Sequence, residues 1–201
     1  LVADARIGAT GYTGSRRAGL QLKAAADAAG KPIYLELSSV NPVVILPQAM
    51  EQQHEEIATE FTGSCLLGTG QFCTNPGLVV VLKSDATDSF IAALSDQFSE
   101  APVGTLLSSG VEKSLESNLN ILVAAGAKIV VGNASADSDR YCYANTLLQV
   151  TAQQFIADPE TMQTEAFGNS SLLVVAESMD EVNAVIACFE GNLTGCIYSA
   201  T

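Results

Sequence analysis

The chain has 201 residues, 48% hydrophobic and 15% charged, with a net charge of −13 and no tryptophan. Such a length and apolar content suffice to bury one sizeable core. The acidic balance argues against nucleic acid and against an anionic membrane surface, because like charges repel.

No run reaches the roughly 18 apolar residues of a membrane span. No basic segment followed by a hydrophobic stretch opens the chain as a secretory signal would. The five cysteines are odd in number and scattered, without a C-x-x-C pair. That reads as reduced thiols of a cytoplasmic protein, not as a disulfide framework. Cys65, Cys142, Cys188 and Cys196 lack metal-ligand spacing, and the single histidine, His54, lies among glutamates, so no metal site is expected. The chain opens at Leu1 and stops at Thr201 just after an apolar run, which is expected of a piece of a longer protein.

Taken in order, Ala5 to Gly11 is predicted as a short strand entering a turn. Ser15 caps a helix through about Ala29, stopped by Gly30-Lys31-Pro32. Ile33 to Leu37 is a strand with Glu36 inside it; an acid in an apolar strand is a paired, edge or functional carboxylate. Val43 to Leu46 is a second strand. A long helix follows from about Gln48, with Ile57, Phe61 and Cys65 on its buried side and Glu51, Glu55, Glu56 and Glu60 on a solvated one. Leu78 to Leu82 is apolar throughout, as a strand buried on both faces of a parallel sheet must be. Helices are predicted over Ala86 to Phe98 and Gly110 to Ala125, the latter stopped by Gly126, and a strand over Lys128 to Val131. A polar exposed loop covers 132–140. Ala144 to Val150 is extended, Thr151 to Ala157 a helical turn, Ser171 to Val175 a strand, Met179 to Phe189 a helix and Gly195 to Ser199 a strand. Strand–helix alternation of this kind predicts an α/β fold with a mostly parallel sheet flanked by helices.

Between the long helix and the Leu78 strand stands Gly70-Gln71-Phe72-Cys73-Thr74-Asn75-Pro76-Gly77, with Gly68 just before it. Glycine and proline exclude regular structure there. A thiol on a turn between two buried elements is rigidly placed yet reachable, which a covalent nucleophile requires. On local sequence alone Cys73 is either that nucleophile or one more buried cysteine.

Gly70-Gln71-Phe72-Cys73-Thr74 resembles the cysteine signature of the aldehyde dehydrogenase superfamily. Tyr34-Leu35-Glu36-Leu37-Ser38-Ser39-Val40-Asn41-Pro42 resembles its glutamate signature, with Ser38-Ser39-Val40 in place of the usual Gly-Gly-Lys. Tyr12-Thr13-Gly14-Ser15-Arg16-Arg17 resembles its Gly-Ser turn, and Thr164-Glu165-Ala166-Phe167-Gly168 its Glu-x-Phe-Gly motif, followed by Asn169 where many relatives have proline. The four stand in the family's order across nearly the whole chain. The variants at the cysteine and glutamate motifs look most like the branch of α-ketoglutarate semialdehyde (2,5-dioxopentanoate) and NADP-using long-chain aldehyde dehydrogenases.

The resemblance implies an aldehyde dehydrogenase-like catalytic domain, with residues 1–35 the end of a dinucleotide-binding domain and 36–201 an incomplete catalytic domain. It implies Cys73 as nucleophile and Glu36 as general base. Burial of Glu36 among Ile33, Leu35 and Leu37 is expected to raise its pKa. The Cys73 backbone N–H is expected to serve the oxyanion. The family's second donor, an asparagine, lies outside this chain, and neither Asn41 nor Asn75 matches its motif. Gly14 and Ser15 at a helix start would lie near the pyrophosphate of NADP (or NAD), and Glu165 and Phe167 near its nicotinamide ribose and ring. The residues alone leave blander readings open: an ion-paired or edge carboxylate for Glu36, an ordinary cap at Ser15, a loop glutamate and a core phenylalanine at 165 and 167. The expected partners are a small-molecule aldehyde and, at full length, further copies in a homodimer or homotetramer. The alternatives are a structural or assembly module without dehydrogenase activity of its own, and residual thiol-ester hydrolysis.

Overall fold

The computed structural model describes residues 1–136 and 139–200; Asp137 and Ser138, inside the predicted 132–140 loop, lie outside the described residues. Two compact units divide the chain, residues 1–38 and 39–200.

The first unit is a two-stranded parallel pair with one helix: β1 (Thr10–Thr13), α1 (Arg16–Ala28) and β2 (Ile33–Glu36). The strand predicted over Ala5 to Gly11 is displaced. Residues 1–7 are held in two turns by Asp4 N–H to Leu1 O and Ile7 N–H to Asp4 O, with Arg6 paired to Asp4, and strand pairing begins only at Thr10. Ser15 Oγ accepts from Ala18 N–H at the start of α1. At its end Gly30 N–H donates to Asp27 O and Lys31 N–H to Ala26 O, the two bonds that close a helix on a left-handed residue. Gly30 has φ +66, which glycine adopts at no steric cost.

The second unit runs β3 (Pro42–Ile45), α2 (Pro47–Leu66), β4 (Leu78–Leu82), α3 (Asp85–Glu100), α4 (Ser109–Ala124), β5 (Lys128–Val131), β6 (Thr146–Thr151), α5 (Ala152–Ala157), α6 (Pro159–Met162), β7 (Ser170–Ala176), α7 (Met179–Ala187) and β8 (Cys196–Tyr198). Its sheet has the order β5-β6-β7-β4-β3-β8 and is parallel except at β5, which pairs antiparallel with β6. The α/β fold with a mostly parallel sheet flanked by helices is therefore as the alternation predicts. The short α6 is not foreseen; a Pro at its first position and Asp158 capping Thr161 N–H form it from a segment too short for a periodic signal.

Strand residues alternate between two cores because successive side chains point to opposite faces. Val43, Ile45, Val79, Val81 and Leu173 pack with Ile57, Phe61 and Cys65 of α2 and Phe90, Leu94 and Phe98 of α3. Val44, Leu78, Val80, Leu172 and Val174 pack on the other side with Leu115, Leu119 and Leu122 of α4, Phe155 of α5 and Val185 of α7. Ile57, Phe61 and Cys65 of α2 are all buried, and the four glutamates of that helix are exposed. A kink at Gln53, φ −140, divides α2 without disturbing that stripe. Among the described residues no helix is long and apolar enough to cross a membrane.

Candidate active site

α2 ends in a left-handed turn. Gly68, Thr69 and Gly70 have φ of 57, 61 and 65. For a β-branched threonine this is an uncommon conformation, of the kind that concentrates at functional sites. The turn throws the chain across the amino-terminal ends of the strands, and residues 71–77 lie there before β4 begins. The Cys73 thiol is exposed at the tip. Asn75 N–H donates to Phe72 O, closing a tight turn around it. The Cys73 N–H has no hydrogen-bond partner among the described residues. Cys65, one element earlier, is the chemical opposite: fully buried, its thiol pushed up to about 12 by desolvation, with Asn75 only partly offsetting that. The loop placement thus separates a reachable sulfur from an inert one.

The loop is held on three sides. Asn41, buried and at φ 47, donates from Nδ2 to Cys73 O and to Asn75 O, both at 2.9 Å. Gln71 accepts Leu107 N–H at 2.8 Å and donates to Thr105 O, tying the loop to the connection between α3 and α4. Asn75 Nδ2 donates to Gly168 O, and a Cβ on Gly70 would stand only 2.0 Å from that same oxygen. The loop therefore sits directly against the Glu165–Gly168 segment.

Glu165 and Phe167 are half-buried and line a cavity of about 20 Å³ together with Ser39, Asn75 and Ser171. Ser39 N–H donates to Glu165 Oε1 at 3.4 Å, and Asn118 Nδ2 donates to Glu165 O at 2.7 Å, so the segment is pinned at both its side chain and its backbone. A larger cavity of about 190 Å³ runs along Thr74 and Pro76 of the cysteine loop, bordered by Asn41, Ser64 and Cys196. The cysteine loop and the Glu165–Gly168 segment thus meet at the amino-terminal ends of β4 and β7.

Gly14, Ser15 and Glu36 belong to the first unit. Gly14 N–H donates to Glu36 O at 3.0 Å, so the helix entry and the end of β2 are joined. The first turn of α1 carries Arg16 and Arg17 and no acid, whereas α3 and α7 open on Asp85, Asp88, Asp180 and Glu181. That leaves the positive end of the α1 dipole uncompensated by carboxylates. The burial expected for Glu36 is not found. In a strand of pattern Ile33 in, Tyr34 out, Leu35 in, the period of two puts Glu36 on the exposed face. Ile33 and Leu35 are only half-buried themselves, because a two-stranded pair has little to cover them.

Sequence reasoning missed Asn41, Asn192 and Gln71. Asn192 Oδ1 accepts from Val40 N–H and Asn41 N–H, and so fixes the turn from which Asn41 reaches the cysteine loop. Their only sequence-level sign was Asn41 ahead of Pro42, since asparagine tolerates positive φ; the partners 32 and 151 residues away leave none. Among the described residues no group of three or more His, Cys, Asp or Glu is placed to hold a metal.

A model described as the aldehyde dehydrogenase family matches residues 1–201. The chain is 37% identical over 201 residues to alpha-ketoglutaric semialdehyde dehydrogenase 2 of Azospirillum brasilense, and 30% identical over 200 residues to alpha-ketoglutaric semialdehyde dehydrogenase of Acinetobacter baylyi. Each alignment covers 98% of this chain, which spans 38% of the length of either relative. Among solved structures, the NAD-dependent aldehyde dehydrogenase of Sinorhizobium meliloti superposes with a TM-score of 0.79 at 20% identity, over 100% of this chain and 40% of that one. PnpE, crystallised in complex with nicotinamide adenine dinucleotide, superposes with a TM-score of 0.80 at 20% identity, over 100% of this chain and 42% of that one. At such identities the structural likeness speaks for the fold.

Proposed function

The chain belongs to the aldehyde dehydrogenase family, and from that premise we propose that it forms the catalytic-domain part of an NAD(P)-dependent aldehyde dehydrogenase with Cys73 as its nucleophile. The observation that carries the reading is the loop itself: an exposed thiol, an N–H on the same residue without a partner among the described residues, and carbonyls pinned from behind by Asn41. The Cys73 thiolate attacks the aldehyde carbon, and an S–C bond forms as the carbonyl pair moves to oxygen. The Cys73 N–H would donate to that oxyanion.

A nicotinamide dinucleotide, when bound, supplies the hydride acceptor that turns the thiohemiacetal into a thioester. The residues present suit such a group. Ser15 caps a helix whose first turn carries arginines and no acid, which favours a pyrophosphate. Glu165, held through its side chain and backbone beside the cysteine loop, and Phe167 two residues on would hold the ribose and ring, as the motif resemblance implies. Glu36 acts as general base: it takes a proton from water, the hydroxide adds to the thioester carbon, and the S–C bond breaks to release the acid and the thiolate. Its exposure leaves it able to reach a water.

The two curated relatives support α-ketoglutarate semialdehyde as the substrate. The branch resemblance supports NADP, and NAD is the alternative. For the whole protein a homodimer or homotetramer is proposed. The test is NADPH or NADH formation from that aldehyde, measured with each dinucleotide and with Cys73→Ala as control. No reduced dinucleotide from the whole protein, or undiminished turnover in C73A, refutes the reading.

The 38% coverage of the relatives favours a second reading for the 201-residue chain alone. It would be an assembly module without dehydrogenase turnover, retaining only acylation of Cys73 by activated esters. Turnover by the purified 201-residue chain would dismiss it.

A further inference from the structure

We propose that Asn41 is a positioning residue for the nucleophile, and that Asn192 holds it in place. The proposal rests on Cys73 being the nucleophile. The carboxamide of Asn41 is saturated. Its Nδ2 donates to Cys73 O and Asn75 O, while its Oδ1 accepts Ser39 Oγ at 2.7 Å and Thr194 N–H at 3.3 Å. No other side chain bonds the backbone of Cys73 itself among the described residues. Binding the carbonyls on both sides of Thr74 fixes the peptide planes that follow Cys73, and through them the direction of the preceding N–H. Asn41 sits in the left-handed region, φ 47, where its reach depends on the turn being held. Asn192 holds it: one oxygen receives Val40 N–H at 2.9 Å and Asn41 N–H at 3.1 Å, beside Ser39 Oγ, whose one proton goes to Asn41 Oδ1. Leu193 N–H returns the bond to Ser39 Oγ. Asn192 lies in the connection from α7 to β8, on none of the motifs, and touches no reacting atom.

Two probes of Cys73 separate positioning from mere folding. Alkylation by iodoacetamide needs only an accessible thiolate. Acylation by p-nitrophenyl acetate also needs an aligned donor for the tetrahedral oxyanion: the thiolate adds to the ester carbon, and p-nitrophenolate leaves with its electron pair. Loss of one such donor costs about 10²–10³ in rate, and misalignment of a retained donor should cost roughly 10-fold. Asn41→Gly keeps the left-handed backbone and deletes only the amide. It should retain alkylation within about twofold and lose acylation about 10-fold. Asn192→Ala should follow it, and Asn192→Asp, which keeps the accepting oxygen, should restore acylation. Equal falls in both rates, tracking the folded fraction by circular dichroism, would overturn the proposal, as would unchanged acylation in N41G. A wild-type Cys73 that is alkylated but never acylated would instead sink the reading of Cys73 as the nucleophile, and the proposal with it.

Discussion

Replacing Gly70 by alanine tests whether the cysteine loop is held as tightly as its geometry demands. The new Cβ would stand 2.0 Å from Gly168 O, 2.3 Å from Gly168 C and 2.8 Å from Asn169 N, all backbone atoms. None can give way cheaply. Gly168 O accepts Ser170 N–H and Asn75 Nδ2, and Asn169 is fixed by bonds to Tyr143 O and Asn145 Oδ1. Placing alanine at φ +65 costs about 1–2 kcal/mol before any contact is counted. Forcing an extra carbon against packed backbone adds roughly 1–3 kcal/mol. The expected loss is about 2–5 kcal/mol, a large share of the ~5–15 kcal/mol that holds a domain folded. Gly63→Ala is the matched control: it lies in α2 with nothing within 4 Å of its Cβ, and should gain about 0.5–1 kcal/mol. Urea unfolding reads both. With a slope of about 2 kcal/mol per molar, the G70A midpoint should fall by roughly 1–2.5 M while the slope holds. A G70A chain within about 0.5 kcal/mol of wild type, the scatter of ordinary surface substitutions, would refute the account of the loop as wedged against Gly168.

Glu36→Gln should leave acylation of Cys73 intact and slow release of the acid by about 10²–10⁴, the usual worth of a general base; a burst followed by a slow steady state in the whole protein would show it, and a loss of the burst would contradict it. Phe90→Ala, at a fully buried position between α3 and the sheet, should cost ~3–5 kcal/mol in urea unfolding without changing the Cys73 alkylation rate of the folded protein. Stability should also fall in alkali. Burial raises Cys65 to about 12 from 9.0, and burial first, then Glu60, raises Tyr198 to about 12 from 10.0. Both groups lose their protons earlier in the unfolded chain, so their contribution is whole below pH 9 and drains away as pH climbs towards 12. Urea midpoints measured from pH 8 to 11 should decline, and a flat profile would show that these groups titrate alike in both states.

Much of the second unit is written in local pattern. Leu78 to Leu82 is apolar at every position because β4 is covered on both faces, and the stripe Ile57, Phe61, Cys65 is regular because α2 packs on one of them. The first unit was harder to read. Its strands are covered on so little of their surface that alternation no longer marks an inside, which is why β1 was placed too early and Glu36 too deep. The site divides the same way. Cys73 is legible because glycine and proline bracket it, and its neighbours Glu165 and Phe167 because they stand in a motif. The amides that hold them are not legible. Asn41, Gln71 and Asn192 act across separations fixed only once β3, β4 and β8 lie side by side.

The order in which those strands are joined has a consequence for a growing polypeptide. The cysteine loop is fully written by Gly77, and β3 and β4 can pair soon after. Its bonding closes only when Asn192 and Thr194 arrive and β8 zips onto the outer edge of β3. A ribosome must therefore extrude residues up to Thr194 before this part of the brace can form. Until then the loop is held by Gln71 on Thr105 and Leu107 and by Asn75 on Gly168, while the turn that carries Asn41 is still unclamped. The clamp on Asn41 is thus the late part of the brace, arriving with the three-residue β8.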